Sequence, residues 1–302
     1  MGTQHDHASV GTPRRRLLIA FAITSLVFIT EVVGAIITGS LALLVDSAHM
    51  LTDVIGLALA VTAAHLMNRE PSARHTWGLR RAEILGALAQ AALLLGVGIF
   101  ALVEGVRRLF EPPEIASGSL LFFGIVGLLA NVASLLVLMS GRKANLNMRA
   151  AFLEVVNDAL GSVGVIASAI LIATLGWYRA DAVAGIVIAL LIIPRTLILL
   201  RASGSILLES TPPGLDLDDV RRHLQELPHV VEVHDLHASQ ISTDLPTLSA
   251  HVVVDDQLTQ EDSAALLRFL QDCVAEHFAV SVEHSTFQIE PRSHPDEHAT
   301  HA

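Results

Sequence analysis

The sequence predicts a membrane all-α domain of six transmembrane helices followed by a small α+β domain, and three observations predict it. The 302 residues are 52% hydrophobic and only 16% charged, with a mean hydropathy of +0.56. That is too little charge to cover a soluble protein of this length. Six stretches, at about 17–37, 41–66, 82–105, 118–140, 149–175 and 182–200, reach the roughly 20 apolar residues that cross a hydrocarbon core. The charge is also divided: residues 1–204 carry 15 Lys/Arg against 12 Asp/Glu, whereas 205–302 carry 4 against 18. The second part therefore reads as an acidic, water-soluble domain.

Taken in order, residues 1–16 form an N-terminal tail ending in Arg14, Arg15 and Arg16. The apolar run behind them has no A-x-A-like cleavage site, so it reads as a first span rather than a removed signal peptide. Gly39 and Ser40, Asn68 to Pro71, Glu111 to Pro113, Ser140 to Lys143, and Gly176 to Tyr178 punctuate the spans of a 17–204 transport domain. Six spans return both termini to one side, where ten Lys/Arg lie near helix ends against three opposite. This bias makes the terminal side cytoplasmic in a cell (inner or plasma) membrane. Residues 205–291 read as helix 216–227, strands 230–241 and 247–255, helix 260–278 and a last strand 280–290. That order suits a small sheet with helices on one face. A polar, His-rich tail, 292–302, closes the chain, and no repeat is found.

Ionisable residues inside the spans carry the chemistry, because each costs about 2.5–3.5 kcal/mol at a helix centre. The second span holds Asp46, His49 and Asp53 in LLVDSAHMLTDV, and the fifth holds Glu154 and Asp158 in AFLEVVNDALGS. His49 with Asp53, and Glu154 with Asp158, stand four apart and share a helix face. One imidazole and three carboxylates make a donor set that Zn²⁺ accepts, with Asp46 a candidate accessory group. Neither helix centre has a Lys or Arg to neutralise them, so a metal ion or protons must do so. Glu31 has no partner at helical spacing, and Glu83, Glu104 and Asp181 read as interfacial carboxylates near span ends.

The runs GSLALLVDSAHMLTDVIGLALA, HTWGLRRAEILGALAQA and NMRAAFLEVVNDALGSVGVIAS resemble the cation diffusion facilitator family, in its bacterial zinc/cadmium/cobalt branch. The resemblance covers about 17–290 and implies a proton-coupled homodimeric antiporter in the lipid bilayer, with a ferredoxin-like cytoplasmic domain. It implies that His49 and Asp53 form one half of the transport site and Asp158 part of the other. The branch typically has a histidine where Glu154 stands. This departure widens the metal preference from Zn²⁺ toward harder ions, because carboxylate oxygen suits Mn²⁺ and Fe²⁺ better than imidazole does.

In the soluble domain His234 and His237 fall on one strand, His251 on the next, and His284 and Glu290 on the last. The resemblance implies that such cytoplasmic positions bind regulatory or structural metal, and it places a dimer-stabilising ion pair at Arg81 and Glu209. His75, in the loop after span two, is flanked by Ser72 and Leu79 and poorly matches a further metal site of the family. The terminal His5, His7, His294, His298 and His301 read as solvated tail residues with loose metal capture as the alternative. The single Cys273 excludes an intrachain disulfide or a thiolate cluster, and the acidic balance speaks against nucleic acid. No HExxH occurs, which speaks against an intramembrane metalloprotease, and the resemblance implies a secondary active transporter and not an enzyme. The expected activity is Zn²⁺ export in exchange for protons. The alternatives are a Co²⁺/Cd²⁺ or Mn²⁺/Fe²⁺ exporter of the same fold, a metal-selective channel without proton coupling, or a metal sensor on this scaffold.

Overall fold

The computed structural model describes residues 11–139, 146–255 and 258–292. The tail histidines, Arg142 and Lys143 lie outside the described residues. The predicted order is observed: α1 (Gly11–Thr38), α2 (Leu41–Met67), α3 (Ala82–Phe110), α4 (Ser117–Met139), α5 (Leu146–Leu175), α6 (Arg179–Leu207), α7 (Leu217–Gln225), β1 (Val230–Ser242), β2 (Leu245–Val254), α8 (Gln260–Glu276) and β3 (His284–Pro291). Five of the first six helices are long and apolar enough to cross a membrane, and α1 adds the shorter apolar stretch Ala22–Thr38. The chain forms two compact units, one comprising the residues up to Leu57 with Gln90–Ile198, the other Ala58–Ala89 with the chain from Leu199 onward.

The first unit inverts the burial of a soluble protein. Leu26, Ile36, Phe122, Leu129, Leu136 and Leu191 are exposed, while Glu31, Asp46, His49, Asn131 and Asp158 are buried. Apolar side chains face outward because hydrocarbon is the solvent there. On α4 the buried residues Leu120, Gly124, Gly127, Asn131, Ser134 and Leu138 recur every three or four positions, so one narrow face packs against α1 and α5. A Cβ at Gly127 would stand 3.1 Å from Glu31 Oε1 and 3.2 Å from Ser162 Oγ, so glycine is what lets these polar groups enter the junction.

Asp181 corrects the interfacial reading made from the sequence. It is 1% exposed and caps α2 from the start of α6. Ser40 Oγ donates to Asp181 Oδ1, and the Leu41 amide donates to Oδ2 at 2.6 Å. The first amides of a helix have no intrahelical acceptor, and a carboxylate from elsewhere satisfies them while favouring the positive end of the dipole.

In the second unit β1 and β2 pair antiparallel and β2 and β3 parallel, giving sheet order β1-β2-β3. Asp216 caps α7 by accepting from the Asp218 and Asp219 amides, and Thr259 caps α8. Val220 and Leu224 of α7, Leu270 and Val274 of α8, and Val252 of β2 fill the core, each stabilising the domain by about 1.5–3 kcal/mol on burial. Burial pushes the Cys273 thiol up, which leaves it protonated and unreactive in that core. At the β1–β2 turn Ser242 Oγ donates to Asp244 Oδ1 at 2.7 Å and holds that carboxyl below the usual range.

Candidate metal centres

The α2 and α5 pairs meet in the first unit. His49 Nε2 lies 3.3 Å from Glu154 Oε1 and 3.7 Å from Asp53 Oδ2. One donor atom from each of these residues falls within 4.8 Å of the other two. A tetrahedron with metal–ligand distances of about 2.0–2.1 Å has edges of about 3.3–3.4 Å. The spacing thus fits shared ligation, whereas 3.7 Å is too long for a hydrogen bond. Asp158 lies one turn beyond Glu154 on α5, is 3% exposed, and has no hydrogen-bond partner at Oδ1 among the described residues. It interacts electrostatically with His49, Asp53 and Glu154, but it is not within the tight three-residue group.

Three features here escaped the sequence. Glu154 is not free of basic residues, because Arg195 of α6 reaches its Oε2 at 2.7 Å. No Lys or Arg lies at the centre of α2 or α5, and the counter-charge comes from a third helix. Glu31, without a partner at helical spacing, finds one on another helix in Asp46 of α2, with which it is within hydrogen-bonding reach. Asp46 itself sits against the α5 backbone, where a Cβ at Gly161 would come within 2.8 Å of its Oδ1. A cavity of about 120 Å³ lined by Asp46, His49, Asn157, Ile188, Leu191 and Arg195 adjoins this group.

In the second unit His234 and His251 oppose each other across β1 and β2, with ring centroids 5.2 Å apart. Glu290 of β3 joins them: its Oε2 is 3.3 Å from His234 Nε2 and its Oε1 is 2.9 Å from His251 Nδ1. These three donors also lie within 4.8 Å of one another, so they fit a resident metal ion. The other two expected histidines are not brought in. His284 pairs with Thr247, six residues up β3 from Glu290 and hence about 20 Å away. Its ring instead packs edge-on against Trp77 at 5.4 Å. His237 accompanies it along a cleft with Ser239 and Thr286, and hydrogen-bonds Asp235 Oδ1 at 2.8 Å. The residue missed is Asp235, whose Oδ2 is 3.7 Å from His251 Nε2. A bulge between His234 and His237 puts Asp235 at φ 47°, a conformation aspartate tolerates, and turns its carboxylate toward the cluster.

Arg81 and Glu209 meet at 2.9 Å within the chain, on the surface. Ser72 and His75 exchange backbone hydrogen bonds at 3.0 Å, so that segment is a tight turn.

Comparison with known proteins agrees with this architecture. Residues 17–208 match the cation efflux transmembrane domain and 212–292 the cation efflux protein cytoplasmic domain. The metal cation efflux system protein CzcD of Cupriavidus metallidurans is 41% identical over 290 residues, covering 96% of this chain and 90% of that protein. The cadmium, cobalt and zinc/H(+)-K(+) antiporter of Bacillus velezensis is 36% identical over 296 residues, 97% of this chain and 93% of its own. The zinc transporter ZitB of Yersinia pseudotuberculosis is 40% identical over 279 residues, 91% of this chain and 87% of its own. With buried ligand-bearing helices, an outward apolar surface and both domains matched, the chain belongs to the cation diffusion facilitator family and is a multi-pass membrane transporter for divalent metal cation efflux.

Proposed function

We propose that the chain exports Zn²⁺ from the cytoplasm across the cell membrane in exchange for protons, working as a homodimer with both termini cytoplasmic. The observation that carries this reading is the convergence of His49, Asp53 and Glu154 donors within 4.8 Å inside apolar helices. With Asp158 completing the set, these residues bind the cargo. No bond is made or broken in it, so the work is binding, switching access and release. Metal needs deprotonated ligands, and binding therefore expels protons from the carboxylates and imidazole. His234, His251 and Glu290, with Asp235 beside them, would hold a resident metal ion that ties β1, β2 and β3 together. Such an ion supplies positive charge to a domain that is strongly acidic. The proton counter-ion and the zinc preference draw support from the names of the relatives.

The test is stopped-flow Zn²⁺ uptake into proteoliposomes carrying a metal dye and a pH dye. Uptake matched by proton efflux, and accelerated by an opposing pH gradient, is expected. Zinc flux indifferent to that gradient would make the protein a channel.

A further inference from the structure

We infer that Arg195 is a specificity-determining residue of the transport site, because its guanidinium holds Glu154 as a charge-neutralised ligand with one oxygen turned to the site and the other engaged. This rests on the proposed reading that Glu154 contacts the cargo. The two oxygens of Glu154 have different surroundings. Oε2 accepts from Arg195 Nη1 at 2.7 Å, while Oε1 is turned away from Arg195, buried, and faces His49 Nε2 at 3.3 Å. The free oxygen therefore points where the ligands converge, and the engaged one points away toward α6.

Two consequences follow from the chemistry of the groups. Arginine stays charged under all conditions in a protein, so the Glu154 and Arg195 pair presents no net charge to an incoming ion. A carboxylate oxygen that accepts from arginine has one lone pair engaged and is the weaker metal donor, so chelation through both oxygens is disfavoured. Larger or harder ions gain coordination number from bidentate carboxylates and full negative charge, whereas Zn²⁺ is satisfied by four single donors. The pair thus behaves toward metal much as a neutral imidazole would, and the softening of zinc preference expected from Glu154 alone is offset. Arg195 also lines the cavity that reaches His49, so its charge faces any ion passing that way. It follows Pro194, which cannot donate to the α6 ladder and loosens the helix where the guanidinium leaves it.

The experiment is competition transport of Zn²⁺ and Mn²⁺ by the full-length protein in proteoliposomes. Arg195→Gln is expected to raise the Mn²⁺ to Zn²⁺ ratio about tenfold, which corresponds to about 1.4 kcal/mol of differential binding. Combining it with Glu154→His should return the ratio to the wild-type value, an outcome no purely structural role for Arg195 would produce. An unchanged ratio in Arg195→Gln, or the same raised ratio in the double variant, overturns the inference. If Arg195→Gln fails to fold, the double variant decides, since it leaves no unpaired charge: a wild-type ratio supports the inference, and an altered ratio or absent zinc flux refutes it. Full zinc transport by Asp53→Ala would instead strike the underlying reading of the site, so the two failures are separable.

Discussion

Asp158 gives the sharpest test of the proposed transport site, because a ligand and a structural residue respond oppositely when it is neutralised. The carboxylate is 3% exposed and its Oδ1 has no hydrogen-bond partner among the described residues. A buried polar atom left in that state costs about 1–3 kcal/mol. Asp158→Asn keeps the shape and removes the charge, so the metal-free protein should become more stable by about 1–2 kcal/mol. For a domain of 150–250 residues that is a rise in Tm of about 2–8 °C. With metal the sign reverses. Four-ligand zinc sites bind with about 10–16 kcal/mol in apparent terms, so one ligand accounts for roughly 3–4 kcal/mol, or a hundred- to thousandfold in affinity. Zinc should therefore raise the wild-type Tm far more than that of the variant, and flux at low zinc should vanish. Melting in detergent with chelator and with zinc, alongside proteoliposome flux, reads both effects. A variant that melts earlier in chelator and transports normally would refute the argument.

Four further outcomes follow. Zinc binding by the full-length protein, followed by calorimetry, should lose one high-affinity equivalent in Glu290→Ala and keep it in His284→Ala, since only the first side chain lies with His234 and His251. Asp235→Ala should retain the equivalent with about 10–100-fold lower affinity, as expected for a group supporting a ligand from behind. Gly161→Ala would place a methyl group 2.8 Å from Asp46 Oδ1 and should lower thermal stability by about 1–3 kcal/mol, the usual cost of overpacking. The Asp244 carboxyl, held low by the Ser242 hydroxyl, contributes stability present above the ordinary aspartate range near pH 4 and lost as pH falls through its lowered folded value. Asp244→Asn should flatten that acid-side slope of the melting profile, and an unaltered slope would dismiss the pair.

What could be read from the sequence was local. Twenty-residue apolar runs announce spans because the bilayer fixes their length, and a four-residue spacing places His49 with Asp53, and Glu154 with Asp158, on one face of a helix whatever that helix packs against. What the sequence did not show was partners supplied from elsewhere in the chain. Arg195 comes to Glu154 from α6, Asp46 to Glu31 from the neighbouring helix, and Asp181 to the α2 amides from 140 residues away. The β domain shows the same limit in another form. His234, His251 and Glu290 converge only because of sheet register, and that register leaves His284 opposite Thr247 and out of reach. Asp235 enters through a bulge, and no periodicity in VHDLHAS announces one.

The charges inside the first unit explain why metal release on the proposed reading must draw in protons. Glu31, Asp46, Asp53, Glu154 and Asp158 cluster around α2 and α5, and His49 and Arg195 are the only basic groups seen to interact with them among the described residues. Arg195 is committed to Glu154. Of the three carboxylates in the proposed donor set, Asp53, Glu154 and Asp158, Arg195 offsets one, so a departing divalent ion leaves two negative charges uncompensated in an apolar setting. On insertion scales each costs about 2.5–3.5 kcal/mol, or roughly 5–7 kcal/mol together. That penalty corresponds to a factor of about 10⁴–10⁵ against release into water unless two positive charges arrive in exchange. Protons supply that charge by bonding to the carboxylate oxygens themselves, which removes the negative charge where it arises. Coupling then needs no separate gate for protons, because an ion that leaves without them pays for two bare carboxylates.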